Sequence, residues 1–193
     1  MSKVAHHGTV TPVRVIAGEF RGRRLVAPDT ADTRPVTDRV KEAVFSSLAD
    51  TVDEAEVLDL YAGAGSFGIE ALSRGARHAT FVENGRRALD ALRRNLETVG
   101  AKGRATVIPT SVERFLEATT ATFDLVFCDP PWPVDTEALT GTLERLVPHL
   151  ADRALVVVSR RSSDTIPQPA GLRIDTERRY GDTRIIRYAK EQT

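Results

Sequence analysis

Residues 59–68 read Asp59-Leu60-Tyr61-Ala62-Gly63-Ala64-Gly65-Ser66-Phe67-Gly68, and they decide the fold. Before them, Glu56 to Tyr61 (EVLDLY) has the short apolar run of a strand; after them, Ser66 to Arg74 reads as a helix. Gly63, Gly65 and Gly68 between the two match G-x-G-x-x-G. Such glycines let the backbone turn sharply and let a ligand approach main-chain N–H groups at a helix N-terminus. The next strand, His78 to Glu83, ends in a carboxylate twenty residues beyond Gly63, where it suits the paired hydroxyls of a ribose. Two ligand classes compete for this loop. A dinucleotide brings a pyrophosphate, which Asp59 at the strand end repels. S-adenosyl-methionine carries no phosphate; its sulfonium and ammonium cations are attracted by Asp59. D-x-x-x-G-x-G therefore favours the methyl donor over a nicotinamide cofactor. A hydride-transfer set of His, Lys and Tyr is also missing.

Working outward, strand and helix alternate. Arg86 to Val99 reads as a helix, Ala105 to Pro109 as a strand, Val112 to Ala118 as a short helix and Phe123 to Cys128 as a strand. Thr136 to His149 follows as a helix and Arg153 to Ser159 as a strand. Two last strands fall near 171–178 and 182–189, around a turn at Tyr180-Gly181-Asp182. Five alternations imply an α/β fold: a doubly wound, mostly parallel, seven-stranded Rossmann-like sheet whose final hairpin adds an antiparallel edge strand. Upstream, VRVIAG, EFRG and RRLVAP read as a β-hairpin. Thr37 caps a helix from about Asp38 to Asp50. The chain thus divides into a disordered lead-in at 1–13, an N-terminal extension at 14–53 facing the substrate, and the main domain at 54–193.

The fourth strand of the main domain ends in Asp129-Pro130-Pro131-Trp132, followed by Pro133. Prolines at a strand exit fix the backbone and end the ladder. The site lies where ligands sit in open α/β sheets. The chemistry suits transfer to a planar exocyclic amine, whose lone pair is delocalised into a ring. The Asp129 carboxylate and the Pro130 carbonyl can accept its two hydrogens and draw the nitrogen toward a tetrahedral geometry. Trp132, the chain's single tryptophan, offers a stacking face for a flipped-out base. Cys128, inside an apolar strand, reads as a buried structural thiol rather than a nucleophile.

The composition sets bounds. The 193 residues carry 27 Lys+Arg and 27 Asp+Glu, so the chain lacks the basic excess of a tail-driven nucleic-acid binder. The charges are segregated, however. Residues 14–41 hold seven basic against four acidic side chains, 160–190 eight against four, and 101–152 four against eight. Basic ends flanking an acidic middle suit a focused phosphate-binding surface. One cysteine excludes internal disulfides and Cys-based zinc clusters, and suits a reducing, cytoplasmic compartment. Apolar runs such as Ala154 to Val158 are too short to span a membrane.

With these motifs in place, the chain resembles the RsmD-type 16S ribosomal RNA guanine methyltransferases of the class I S-adenosyl-methionine-dependent superfamily. The resemblance rests on DLYAGAGSFGIEALSRGA, FVE and DPPW, on RVIAGEFRGRRL and RPVTDRVKEAVFSSL upstream, and on the late YGDTRI. It implies methylation of the 2-amino group of a guanine (position 966 in the usual 16S numbering) on an assembled or assembling 30S subunit, with a monomeric enzyme and no metal. It also places Asp59, Tyr61, Gly63 and Gly65 around the donor's methionine part, and Glu83, followed by Asn84, at its ribose. Ser111, or the backbone of Val112, falls at the adenine. Apart from the resemblance, the basic N-terminal segment offers Arg21, Arg23 and Arg24, on an exposed hairpin, as candidates for contact with the RNA, while Arg34, Thr37 and Arg39 either edge the donor pocket, contact the RNA or cap the helix. Asp129, Pro130, Pro131 and Trp132 form the catalytic loop. The nearest rival reading is an adenine-amino DNA methyltransferase, which also carries D-P-P followed by an aromatic but usually needs a target-recognition insertion for which this chain has no room.

Overall fold

The computed structural model describes residues 13–27 and 37–192. Seven strands form one sheet in the order β3-β2-β1-β4-β5-β7-β6. In chain order the elements are α1 (Asp38–Leu48), β1 (Glu56–Leu60), α2 (Ser66–Ser73), β2 (His78–Glu83), α3 (Arg86–Val99), β3 (Ala105–Pro109) and α4 (Val112–Ala118). Then come β4 (Phe123–Cys128), α5 (Thr136–Leu146), β5 (Leu150–Arg161), β6 (Leu172–Tyr180) and β7 (Thr183–Lys190). Strands β1 to β5 run parallel, and β7 pairs antiparallel with both β5 and β6.

The strands are apolar on both sides because helices cover both faces. Val57, Phe127 and Val157 face one layer, packed with Phe45 of α1, Phe67 of α2 and Leu92 of α3. Leu58, Val126 and Val158 face the other, with Leu116 of α4 and Leu143 of α5. Val13, Val15, Phe20 and Leu25 of the N-terminal extension join the first layer, so the extension shares the main core. Phe127 is clamped there by rings from two helices, its centroid 4.9 Å from Phe67 and 5.4 Å from Phe45. That packing holds β4 two residues before Asp129.

Five expectations need correction. The antiparallel strand is not at the edge: β7 lies inside and β6 forms the edge. The compositions explain the choice, since β7 (TRIIRYAK) buries Ile185, Ile186 and Tyr188 whereas β6 (LRIDTERRY) is mostly exposed. Secondly, β5 starts earlier and ends later than 153–159, because a bulge lets Leu150 pair with Phe123 and β7 extends the pairing to Arg161. Thirdly, the upstream hairpin has a single β-bridge, Arg14 to Arg24, with flanking bonds from Val15 N to the Arg23 carbonyl and from Leu25 N to the Val13 carbonyl. Gly22 N also bonds back to the Val15 carbonyl at 2.9 Å, but several amides of the segment are committed elsewhere. Ile16 N and Ala17 N donate to the Glu70 carboxylate at 2.8 and 3.1 Å, and Phe20 N donates to the Ser73 hydroxyl at 2.9 Å. The helix expected to end at Asp50 is α-helical to Leu48 and closes in a 3-10 turn. Likewise α5 stops at Leu146, and a 3-10 turn containing Pro148 carries the chain to His149.

Candidate active site at the carboxyl ends of β1 and β4

Strand order reverses between β1 and β4, so the crevice of this open sheet lies at their carboxyl ends. Asp59 and Phe127 are paired across it, and Asp129 N donates to the Leu60 carbonyl at 3.4 Å. The glycine loop and the DPPW loop are therefore brought together by the register of two adjacent strands.

The three glycines have different duties. Gly63, at φ 56°, has nothing within 4 Å of where a Cβ would sit, so the loop is open to a ligand there. Gly65, at φ 83°, would drive a Cβ into Leu92 of α3, and Gly68 would drive one into the Phe81 ring, 2.7 Å from its Cζ. Gly65 and Gly68 thus permit close packing of α2 and α3 on the sheet. Tyr61 enters the loop at φ 56°, a left-handed conformation that costs a non-glycine residue about 1–2 kcal/mol. Substituting Ala at Gly65 or Gly68 should lower the unfolding free energy by about 1–3 kcal/mol through overpacking. Gly63→Ala should cost only about 1 kcal/mol of backbone strain. Urea melts would show this order, and equal losses at all three positions would contradict it.

Three carboxylates converge on the loop. Asp59 is buried, and its Oδ2 accepts the Gly68 N–H at 2.9 Å. Burial lifts its carboxyl well above the usual range; the Gly68 hydrogen bond opposes the shift, and the charges of Asp129 and Glu83 add to it. Glu83 accepts Gly63 N at 2.8 Å through Oε2, and Asn84 N and Gly85 N at 3.0 and 2.6 Å through Oε1. Asp129 is half-buried; desolvation pushes its pKa to about 6, against a hydrogen bond from Ser159. Burial makes Asp59 and Asp129 harder to ionise, repulsion adds to this at Asp59, and a neighbouring cation would relieve that cost. The open space at Gly63 and these converging carboxylates fit a sulfonium- and ammonium-bearing donor better than a pyrophosphate.

The DPPW loop is rigid and open. Pro130 is buried and Pro131 exposed, and a turn is closed by Val134 N donating to the Pro131 carbonyl at 3.0 Å. Trp132 is 39% exposed, which excludes a core role for it. The Arg161 guanidinium lies 4.0 Å from the centre of its ring. Cys128 is buried, and its thiol pKa is driven up by burial and by the charge of Asp129, so it is inert as a nucleophile.

The other expected site residues fall as follows. Tyr61 is half-buried, its hydroxyl hydrogen-bonded to Thr142 and pushed up to about 12 by burial. Ser111 and Val112 stand just beyond β3, where Ser111 caps α4 by accepting Arg114 N at 3.4 Å. Thr37 caps α1 by accepting Val40 N at 3.4 Å, and Arg39 is exposed on that helix. Arg21 and Arg24 are exposed on the extension. Arg23 instead fastens the extension to the end of α3, donating to the Thr98 carbonyl at 2.8 Å. Arg34 lies outside the described residues.

Three residues escaped the sequence reading. Ser159 and Arg161, two apart and on one face of β5, serve Asp129 and Trp132 respectively. Asn95 of α3 donates to the Ala64 carbonyl at 3.0 Å, and also exchanges hydrogen bonds with both main-chain groups of Val26. It ties the glycine loop to the extension. The only sequence signals were polar residues ending an otherwise apolar strand and an asparagine on a buried helix face. Away from this crevice, a cavity of about 590 Å³ lies at the opposite end of the sheet, lined by Asp152, Arg153, Arg173, Asp175, Lys190 and Glu191. Among the described residues, no cluster of His, Cys, Asp and Glu could hold a metal ion, and no helix is long and apolar enough to cross a membrane.

The sheet order, with β7 reversed beside β5, and the carboxylate-lined glycine loop define the fold of S-adenosyl-methionine-dependent methyltransferases. Residues 13–189 match the family model described as Conserved hypothetical protein 95. The chain is 36% identical to Ribosomal RNA small subunit methyltransferase D of Escherichia coli K12 over 192 residues, which is 99% of this chain and 96% of that one. It is 40% identical to the protein of that name from Haemophilus influenzae over 135 residues, covering 68% and 70% of the two chains. Among solved structures, yhhF of Escherichia coli superposes with a TM-score of 0.84 at 34% identity, covering 95% of this chain and all of that one. The chain belongs to this family, the RsmD-type methyltransferases.

Proposed function

We propose that the chain transfers a methyl group from S-adenosyl-methionine to the exocyclic 2-amino group of a guanine in small-subunit ribosomal RNA, on an assembled or assembling 30S particle, acting as a monomer in the cytoplasm. The names of the relatives support the RNA class. The observation that carries the chemistry is Asp129: a carboxylate with a pKa near 6, on a proline-fixed strand exit, beside an exposed tryptophan and two further carboxylates.

When bound, S-adenosyl-methionine supplies an electrophilic methyl carbon on a sulfonium. Asp59 and Glu83 would hold its cationic and ribose ends, and Ser111 or the Val112 backbone its adenine. Trp132 stacks the guanine. The Asp129 carboxylate and the Pro130 carbonyl accept the two hydrogens of the amine, which localises the nitrogen lone pair toward the methyl group. The prolines hold these acceptors in place before substrate arrives, so little reorganisation is needed at the moment of transfer. As the nitrogen becomes cationic its proton turns acidic, and Asp129 need be only a weak base. Arg21, Arg24 and Arg39 face the RNA phosphates.

The test is tritium transfer from labelled S-adenosyl-methionine to under-methylated 30S particles, free rRNA, DNA and protein in parallel, followed by nucleoside mapping. Label in N2-methylguanosine from 30S particles is expected. Label confined to DNA adenine or to protein would overturn the reading.

A further inference from the structure

We infer that Arg161 is a positioning residue for the target base: its guanidinium pins the Trp132 indole from one side, so that the ring's other face is presented for stacking. This rests on the proposed base-methylating function and adds a residue to it.

The argument starts from the freedom left to Trp132. Pro131 and Pro133 flank it, and the Val134–Pro131 hydrogen bond closes the turn. The backbone is therefore settled, while the half-open indole keeps its two side-chain torsions. Arg161 removes that freedom. It is the last residue of β5, its backbone paired with Thr183 of β7, and its guanidinium lies 4.0 Å from the ring centroid. That is well within the roughly 6 Å over which a cation and an aromatic face attract. Two residues earlier on the same side of β5, Ser159 hydrogen-bonds Asp129. One strand thus holds both working side chains of the DPPW loop: the amine acceptor through Ser159 and the stacking platform through Arg161. An unpinned indole would have to be ordered by the incoming base, which weakens binding. The chemical step, governed by Asp129, would be left alone.

Arg161 is exposed, so its replacement should not disturb folding. The chain has a single tryptophan, so fluorescence excited at the red edge, beyond the absorption of its three tyrosines, reports this ring alone. In R161A without substrate, Trp132 should show lower anisotropy and greater acrylamide quenching than in the parent protein, and R161K should restore part of the difference. With under-methylated 30S particles, R161A should raise KM about fivefold, as expected for loss of an exposed cation–π contact, with kcat within twofold. Unchanged fluorescence would overturn the pinning. A lower KM in R161A would overturn it too, by showing that Arg161 competes with the base for the ring. A KM unchanged in an active enzyme would end the positioning role. If the parent protein itself transfers nothing to RNA, the functional reading fails, and this inference with it.

Discussion

Asp129→Ala should reduce kcat on 30S particles by about 10²–10³-fold, the usual loss when one preorganised group facing developing charge is removed. Binding of S-adenosyl-methionine should survive within a few-fold, because Asp59, Glu83 and the glycine loop remain. The pKa of about 6 adds a pH signature. Only the carboxylate form accepts the amine hydrogen, so kcat/KM should rise about tenfold per pH unit below 6 and level off above it. Stability should move the opposite way. The folded state holds the Asp129 proton more tightly than the unfolded chain, whose carboxyl titrates near 3.8. The stability this contributes is complete below 3.8 and is lost as pH rises through 6, so the ionised group is a cost at neutral pH. Asp129→Asn removes that cost. It should therefore cripple transfer while raising the unfolding free energy at pH 7 by up to about 3 kcal/mol. Values of kcat and kcat/KM between pH 5 and 8, with melts of both variants over the same range, check these outcomes. An Asn variant that is inactive but no more stable would separate the catalytic role from the burial argument. A fully active Ala variant would end the catalytic role.

The same contrast explains how much of this molecule was legible in its sequence. Asp129 and Trp132 stood out as candidates because the DPPW loop is contiguous and its chemistry is local. The bounds of β2, α3, β3, α4 and β4 match the structure for a similar reason, each being a short run of one periodicity between turn residues. Relations between distant segments were not legible. Asn95 meets Ala64 from 31 residues away, and Glu70 meets Ile16 from 54. Nothing in either local pattern names the partner. The placement of β7 was a near miss, because hairpin pairing is local but the choice of which strand docks on β5 depends on burial. The apolar residues of TRIIRYAK against the charges of LRIDTERRY did carry that information. The basic extension illustrates the remaining gap. Arg21, Arg23 and Arg24 look equivalent in sequence, yet Arg23 is used to fasten the extension to α3.

Glu70→Ala should be the most destabilising single substitution outside the apolar core, at about 3–5 kcal/mol, the range for breaking a buried ion pair. Both Glu70 and Lys41 have fully buried side chains, with Lys41 Nζ 3.3 Å from Glu70 Oε2. Glu70 also takes Arg74 Nε at 2.8 Å and the amides of Ile16 and Ala17. Removing the carboxylate strands a buried ammonium whose pKa is already lowered by desolvation, with Glu70 the main opposing influence. It also leaves two main-chain N–H groups without their acceptor. Lys41 retains the Arg14 carbonyl and the Ser66 hydroxyl, which limits but does not cancel the loss. For a chain of this length the cost corresponds to a fall in Tm of roughly 10 °C. The damage should be local first, because every broken contact other than the one to Arg74 joins the extension or α1 to α2. Limited proteolysis should cut residues 14–27 before the main domain unfolds. Glu70→Gln, which keeps one carbonyl acceptor, should lose less. A double-mutant cycle with Lys41→Met then isolates the charge pair from the amide contacts: coupling near zero would assign the whole effect to the amides. A loss below about 1 kcal/mol in Glu70→Ala would show that the extension is held by its apolar contacts alone, since that is the value of an ordinary hydrogen bond.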